Sequence, residues 1–487
     1  MVSFLSSAQA AGAAPGAGSS EASGSDIMKI LQRNAPEASS PAPASPAVTS
    51  AAAVAVAAAV AHGNVAHQED VAVGVSLTEP TSTYSIDEGR SPEKQPQLEV
   101  KQITKIKTDY EEVHTCQIAA NDTYVSYGLR GGQIRVLNSQ TQARALLRGH
   151  SKPITDLHFF SPASIQLGSA AGDGKLIIWS LSAEGEEIKD EKVLTVSVLH
   201  EGSVAPGNLR FQWHPVDSDY VGVAAGDCMS VLKVSALKEA AGDGGELSLD
   251  LTAPGAPGVC CSIRCGGADV TSFAFSPAGE DVVFCTAAGT AKIFSIGAGA
   301  QEGRLVSEAA NKVCWVPGPE VGGDTLLVTS SANNSTVSLH RAGSSGAAEL
   351  LHTVELQSAQ GSKEFFNHMA VVTEEKLVLL ANTRKNAIYA LRYLPSAVAP
   401  GFTALAEFSV AMPIVSFCAA PPEAAGGKVQ LYCIQTEAIQ QYALDPGMCQ
   451  PAAAGADESP ARAPAAAGAS GEEEEEEEGG DDSMLSM

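Results

Sequence analysis

Between about residue 97 and residue 445 the chain alternates short runs rich in Val, Ile and Phe with breaks of Gly, Asn, Asp or Pro. Runs of that length and residue type favour half-buried strands, and the breaks supply the turns between them. No stretch in this part keeps apolar residues at i, i+3, i+4 spacing long enough for a packed helix, so a parallel sheet with crossover helices is not expected. The strand runs recur in seven units: His114 to Asn138, Ile154 to Ser180, Leu209 to Val234, Val270 to Ile296, Val313 to His340, Phe365 to Leu394, and Ile414 to Leu444. The intervals leave room for four strands each, which predicts an all-β chain arranged as a seven-bladed β-propeller over residues 97–445. An open array would leave the first and last blades without a neighbour. The run LEVKQITKI, Leu98 to Ile106, is therefore expected to return as the outer strand of the last blade and close the ring.

The second unit carries more than strand rhythm. RGHSKPITDLHFF leads through QLGSAAGDGKLIIWS, with the Gly-His and the Trp of a WD repeat, and it closely resembles one. The resemblance implies that His150, Ser169, Asp173 and Trp179 form a hydrogen-bonded structural tetrad. In it Asp173 bonds His150, His150 bonds Ser169, and Ser169 meets the Trp179 indole N–H, leaving each buried polar group satisfied. A His, a Ser and an Asp this close also suggest a hydrolytic triad, but no G-x-S-x-G elbow surrounds Ser169. The other units drop the signature, with Phe294 where a Trp would stand. The connections Leu181–Asp190 and Lys238–Gly258 read as surface loops.

Composition divides the chain at the same boundaries. Residues 1–96 are runs of Ala, Ser, Pro and Gly, and residues 446–487 are an Ala/Gly/Pro linker followed by an acidic tail with seven Glu from Glu472 to Glu478. Both are expected to be disordered. One island, SDIMKILQR at 25–33, places Ile27, Ile30 and Leu31 on one helical face; it is either an isolated helical turn or a docking peptide. The Glu run is either a solvated, self-repelling tail or a contact for a basic partner.

The net charge is −26, and acids outnumber bases in the middle as well as at the ends. General phosphate binding needs an extended Lys/Arg surface, so any RNA contact is confined to local basic spots. The ten cysteines show no paired framework and follow no secretory signal, which suggests reduced thiols in a cytosolic or nuclear protein. The apolar run Ala51 to Ala61 is too short to span a bilayer, and the first basic residue, Lys29, comes late for a transit peptide.

Several stretches taken together resemble the VARICOSE and enhancer-of-mRNA-decapping scaffold family. They are QPQLEVKQITKI (95–106), YVSYGLRGGQIRVLN (124–138), RALLRGHSKPITDLHFF (144–160), FFNHMAVV (365–372), LVLLANTRKNAIYAL (377–391), FSVAMPIVSF (408–417) and VQLYCIQTEAIQQYALD (429–445). They stand in the family's order and cover blades one, two, six and seven, with blades three to five diverged. The resemblance implies a non-enzymatic scaffold, without cofactor, that holds the decapping catalytic subunit and the decapping activator together in cytoplasmic processing bodies and promotes mRNA turnover. In that family a helical carboxy-terminal region supports self-association and contact with the enzyme. The residues after Asp445 do not match it, so neither property is carried over. The rival reading is a WD-repeat adaptor of another complex, a ubiquitin-ligase receptor or a chromatin-associated protein. A propeller enzyme would need carboxylates or metal ligands converging on the central channel, and the sequence gives no sign of them.

Partners of WD propellers usually meet the face built by the loops before each first strand and the turns after each second strand. Arg130, Arg148, Lys152, Arg384 and Lys385 fall on such turns and loops, and in an acidic domain they are candidates for an acidic peptide or an RNA backbone. Ordinary solvated turn charges are the plainer alternative. Cys260, Cys261 and Cys265 do not have the spacing of a structural zinc site, His200 and His214 lack a matched carboxylate motif, and no phosphate-cradling P-loop occurs.

Overall fold

In a computed structural model of the chain, the described residues are 72–87, 96–108, 115–185, 187–204, 207–297, 303–319, 325–343, 346–358, 366–420 and 427–451. They form seven mainly antiparallel sheets in chain order. Blade one holds the strands of 118–147, blade two 154–200, blade three 210–264, blade four 270–307, blade five 312–357, blade six 366–409 and blade seven 414–444. Within each blade successive strands pair with their chain neighbours, and the first strand faces a central channel.

The sheets follow from alternation that is apolar on both faces. In Leu377–Asn382 of blade six every residue is buried, because a strand in mid-blade packs against the blade before it and the blade after it. The buried apolar residues fall into seven clusters, one for each junction between neighbouring blades. One of them closes the ring: Ile118, Val125 and Tyr127 of blade one pack on Val415, Tyr432 and Ile439 of blade seven. Ile103 and Ile106 cover this junction from outside. Ile103 belongs to the strand Glu99–Lys105, which runs antiparallel to Ala438–Leu444 with Glu99 opposite Ala443 and Lys105 opposite Ala438, and Ile106 follows its end. The strand Glu99–Lys105 thus completes the last blade, as the sequence predicts.

Hydroxyl groups join blades at the top of the innermost strands. In blades two, four and seven the register slips by one residue near the start of the first strand. The slip lets a side chain reach the next blade. Thr155 donates to the Leu209 carbonyl at 2.6 Å, Thr271 to the Asn311 carbonyl at 3.0 Å, and Ser416 to the Thr115 carbonyl at 3.3 Å. A bulge of this kind re-aims one side chain without breaking the sheet.

The ring extends past both expected boundaries. Val75–Ser76 pairs antiparallel with the outer strand of blade six, and Thr81–Ser85 pairs parallel with the outer strand of blade five, so part of the stretch 1–96 belongs to the propeller. These residues are too polar and too short to announce strands, and they take that form by completing edges already built. At the other end Pro446–Cys449 forms a 3-10 turn with Cys449 buried, and Gly74 pairs with Pro451. The expected helical motif at 25–33 and the acidic tail lie outside the described residues.

Two segments expected as loops are ordered elements. Leu181–Asp190 falls inside a long hairpin, Lys175–Glu184 with Glu187–His200. Lys238–Gly258 holds the end of the helix Val234–Ala241 and the strand Glu246–Asp250, which pairs parallel to the outer strand of blade two. Val234, Leu237, Leu249 and Leu251 are buried there against blades two and three, and this burial outweighs the Gly-rich local sequence.

Candidate protein-interaction face

In blades three to six the turn after the second strand accepts a hydrogen bond from the chain as it enters the next blade. Val270 donates its amide to the Gly226 carbonyl at 2.7 Å, Ala310 to Gly289 at 2.7 Å, Phe366 to Asn333 at 3.0 Å and Val410 to Asn386 at 2.9 Å. At blades one and two the approach is closer. Gly132 has φ +84°, and a Cβ there would stand 2.6 Å from the Lys152 carbonyl oxygen, so only glycine lets this turn rest on the loop 150–152.

The tetrad residues converge beneath that loop. His150 Nδ1 is 3.2 Å from Asp173 Oδ1, His150 Nε2 is 2.8 Å from Ser169 Oγ, and the Trp179 indole donates to Ser169 Oγ at 2.9 Å. A neutral His150 protonated on Nδ1 satisfies the set: it donates to Asp173 and accepts from the Ser169 hydroxyl. Asp173 also accepts the Ser151 amide at 2.8 Å and the Lys175 amide at 3.1 Å. Burial alone would raise this carboxyl, but the His150 ring and the two amides outweigh burial and hold it at about 2. Ser169 is fully buried, with no route for a substrate, so the constellation fastens the loop bearing Arg148 and Lys152 to the blade.

Blade three keeps half of this device. His200 Nε2 lies 2.9 Å from Asp227 Oδ1, and Asp227 also receives Arg264 at 3.0 Å and the Gly267 amide at 3.0 Å. Arg264 in turn reaches Glu201 at 2.9 Å. The carboxylate that the sequence reading did not match to His200 is therefore Asp227, which occupies the same turn position as Asp173. The signal was the pair Gly226-Asp227, parallel to Gly172-Asp173, but Val223 and Leu232 stand where Ser169 and Trp179 would complete the pattern. His214 is held by its own turn, accepting the Asp217 amide at 3.2 Å, and by the Gly279 carbonyl, 3.2 Å from Nε2.

Of the five candidate cations, Arg130, Arg148, Lys152 and Arg384 are exposed. Arg130, Arg148 and Lys152 stand on the adjoining turn and loop of blades one and two, while Arg384 is on the turn of blade six, separated from them by blade seven. Lys385 is half-buried and paired within the molecule. Its amine lies against Asp87 and bonds the Ile86 carbonyl at 3.2 Å, so it anchors the segment 72–87.

The channel at the ring centre encloses about 440 Å3. Its charged lining includes Asp156, which accepts the Phe211 amide at 3.0 Å and sits 3.6 Å from Arg210, and Lys312, whose amine is pushed down by burial. Cys116 also lines it, and burial raises that thiol to about 12. Asp156 is thus committed to an amide and a guanidinium. Among the described residues no three His, Cys, Asp or Glu side chains stand close enough to hold a metal ion. Cys260, Cys261 and Cys265 are free, and burial raises each thiol above its ordinary value.

Residues 98–233 match the family described as the WD40 region of Ge1, enhancer of mRNA-decapping protein. The early blades are similar to the WD40 region of Ge1. The matched span takes in the closing strand, blades one and two and three strands of blade three, and so includes the tetrad and Arg130, Arg148 and Lys152. Enhancer of mRNA-decapping protein 4 of Danio rerio is 29% identical over 122 residues, which are 24% of this chain and 9% of that protein. The Xenopus laevis protein of the same name is 32% identical over 115 residues, 22% of this chain and 8% of its own length. The matched stretch spans less than a tenth of either relative. Among solved structures, the WD40 domain of Toxoplasma gondii coronin superposes with a TM-score of 0.53 at 16% identity, covering 72% of this chain and 86% of that one, a likeness of fold alone.

Proposed function

We propose that this chain is a non-enzymatic scaffold of mRNA decapping, its propeller docking the decapping activator or related peptide motifs of the decapping complex in cytoplasmic processing bodies. The observation that carries the reading is the match of residues 98–233 to the WD40 region of Ge1, on a ring whose rim is held rigid beneath exposed cations. A rigid ring presenting loops is suited to hold partners, and the committed Asp156 pair in the channel favours no acid–base step. The blade one and two cations fit an acidic peptide. Tagged chain expressed in cells tests this: recovery of decapping subunits, and fluorescence coincident with processing bodies, are expected. Recovery of ubiquitin-ligase or chromatin components in their place would replace the reading.

A further inference from the structure

The ring is complete without residues 72–87. Every blade has four strands from other parts of the chain, and every junction has its own apolar cluster. Residues 72–87 are laid on from outside, over the exposed edges of blades five and six, and they are gripped there by side chains as well as by the backbone. Thr81–Ser85 pairs in parallel with Thr353–Gln357, the Ile86 amide donates to the Gln357 carbonyl at 2.9 Å, and Ile86 is 4% exposed among Val354, Phe366 and Tyr389. Tyr84 stands edge-on to Tyr389 with ring centres 6.3 Å apart, and its hydroxyl donates to Glu407 at 2.8 Å. Asp87 caps the run against Lys385 and the Ser358 hydroxyl.

We propose that the edge of blades five and six is a recognition groove for extended peptides of the pattern Tyr-x-Ile-Asp, occupied in this chain by its own residues 81–87. Strand addition supplies affinity that any extended backbone shares, while the Ile86 pocket, the Glu407 acceptor and Lys385 read alternate and terminal side chains and so supply selectivity. The acceptor at Glu407 selects a hydroxylated ring over Phe, and Lys385 selects an acid at the following end. In cis the segment competes at the effective concentration of a tether, so a peptide from a partner enters only where that segment is weakened or displaced. The proposal concerns a different surface from the cationic rim and stands apart from the decapping reading.

The test uses the full chain and a fluorescein-labelled peptide spanning residues 79–87, followed by anisotropy. A chain carrying Tyr84→Ala and Ile86→Ser, which loosens its own segment and leaves the four strands that each blade draws from the rest of the chain unaltered, is expected to bind the peptide at least tenfold more tightly than the unaltered chain. Tyr84→Ala in the peptide is expected to remove that binding. Cooperative thermal unfolding checks that the variant ring is folded, and Tyr84→Ala alone is the milder variant should the pair unfold. Equal binding by altered and unaltered chains, or binding by neither, overturns the proposal; so does equal binding of the peptide with Tyr84→Ala.

Discussion

Asp173 links the chemistry of a single carboxyl to the stiffness of the rim. It is held at about 2 because burial, which disfavours its charge, is outweighed by the bonds it receives from His150, Ser151 and Lys175. Replacing it with Ala leaves a buried His150 with no acceptor, at a cost of about 1–3 kcal/mol, which urea unfolding at neutral pH should show. The pH dependence has a definite sign. The folded-state value lies below the ordinary carboxyl value of 3.8, so the unfolded chain takes up this proton first as acid is added. The stabilisation is complete above about 4 and is lost as the pH falls toward about 2. Asp173→Asn should therefore differ from the unaltered chain at pH 7 and converge with it near pH 2, while a gap constant across that range would show that the carboxylate charge plays no part.

At the scale of elements, blades two and three each make room for the next. Gly168, on the second strand of blade two, faces Phe211 on the first strand of blade three, and a Cβ at Gly168 would stand 2.2 Å from the Phe211 ring. Gly222 repeats the arrangement one blade on, with Phe273 at 2.5 Å. Gly168→Ala is expected to lower stability by about 1–3 kcal/mol through overpacking, and Phe211→Leu in the same chain should recover part of the loss, so the two changes should not add. Strict additivity in chemical denaturation would place the strain elsewhere. The same close packing explains what could be read in advance. Strand runs such as LVLLAN and the tetrad spacing of blade two carry strong local signals, and the closing strand follows from the need to pair an edge. Thr81–Ser85 and Glu246–Asp250 could not be read, because their own sequences favour no strand and an edge far away in the chain dictates their form. The fastening of Lys385 by Asp87 was hidden for the same reason, as nothing local to either residue points to the other, 298 positions away.

For the whole molecule, charge decides where an acidic partner can land. A chain of net charge −26 repels such a partner over most of its surface, so association is expected to be steered to the place where cations gather at a fixed spacing. Arg130, Arg148 and Lys152 occupy one such place, held by the contact of Gly132 with the loop 150–152 and by the tetrad beneath it. Lys385 is excluded because it fastens the segment 72–87, and its replacement would perturb a docked strand along with any binding. Converting Arg130, Arg148 and Lys152 together to Glu should reduce capture of decapping subunits from lysate at least tenfold while the ring still unfolds cooperatively, since all three residues are exposed. Raising the salt concentration should weaken capture by the unaltered chain in the same direction, because exposed charges are screened. If the triple variant captured the same subunits at the same yield, the partner would have to dock elsewhere on the ring, and the cations of blades one and two would be ordinary solvated charge.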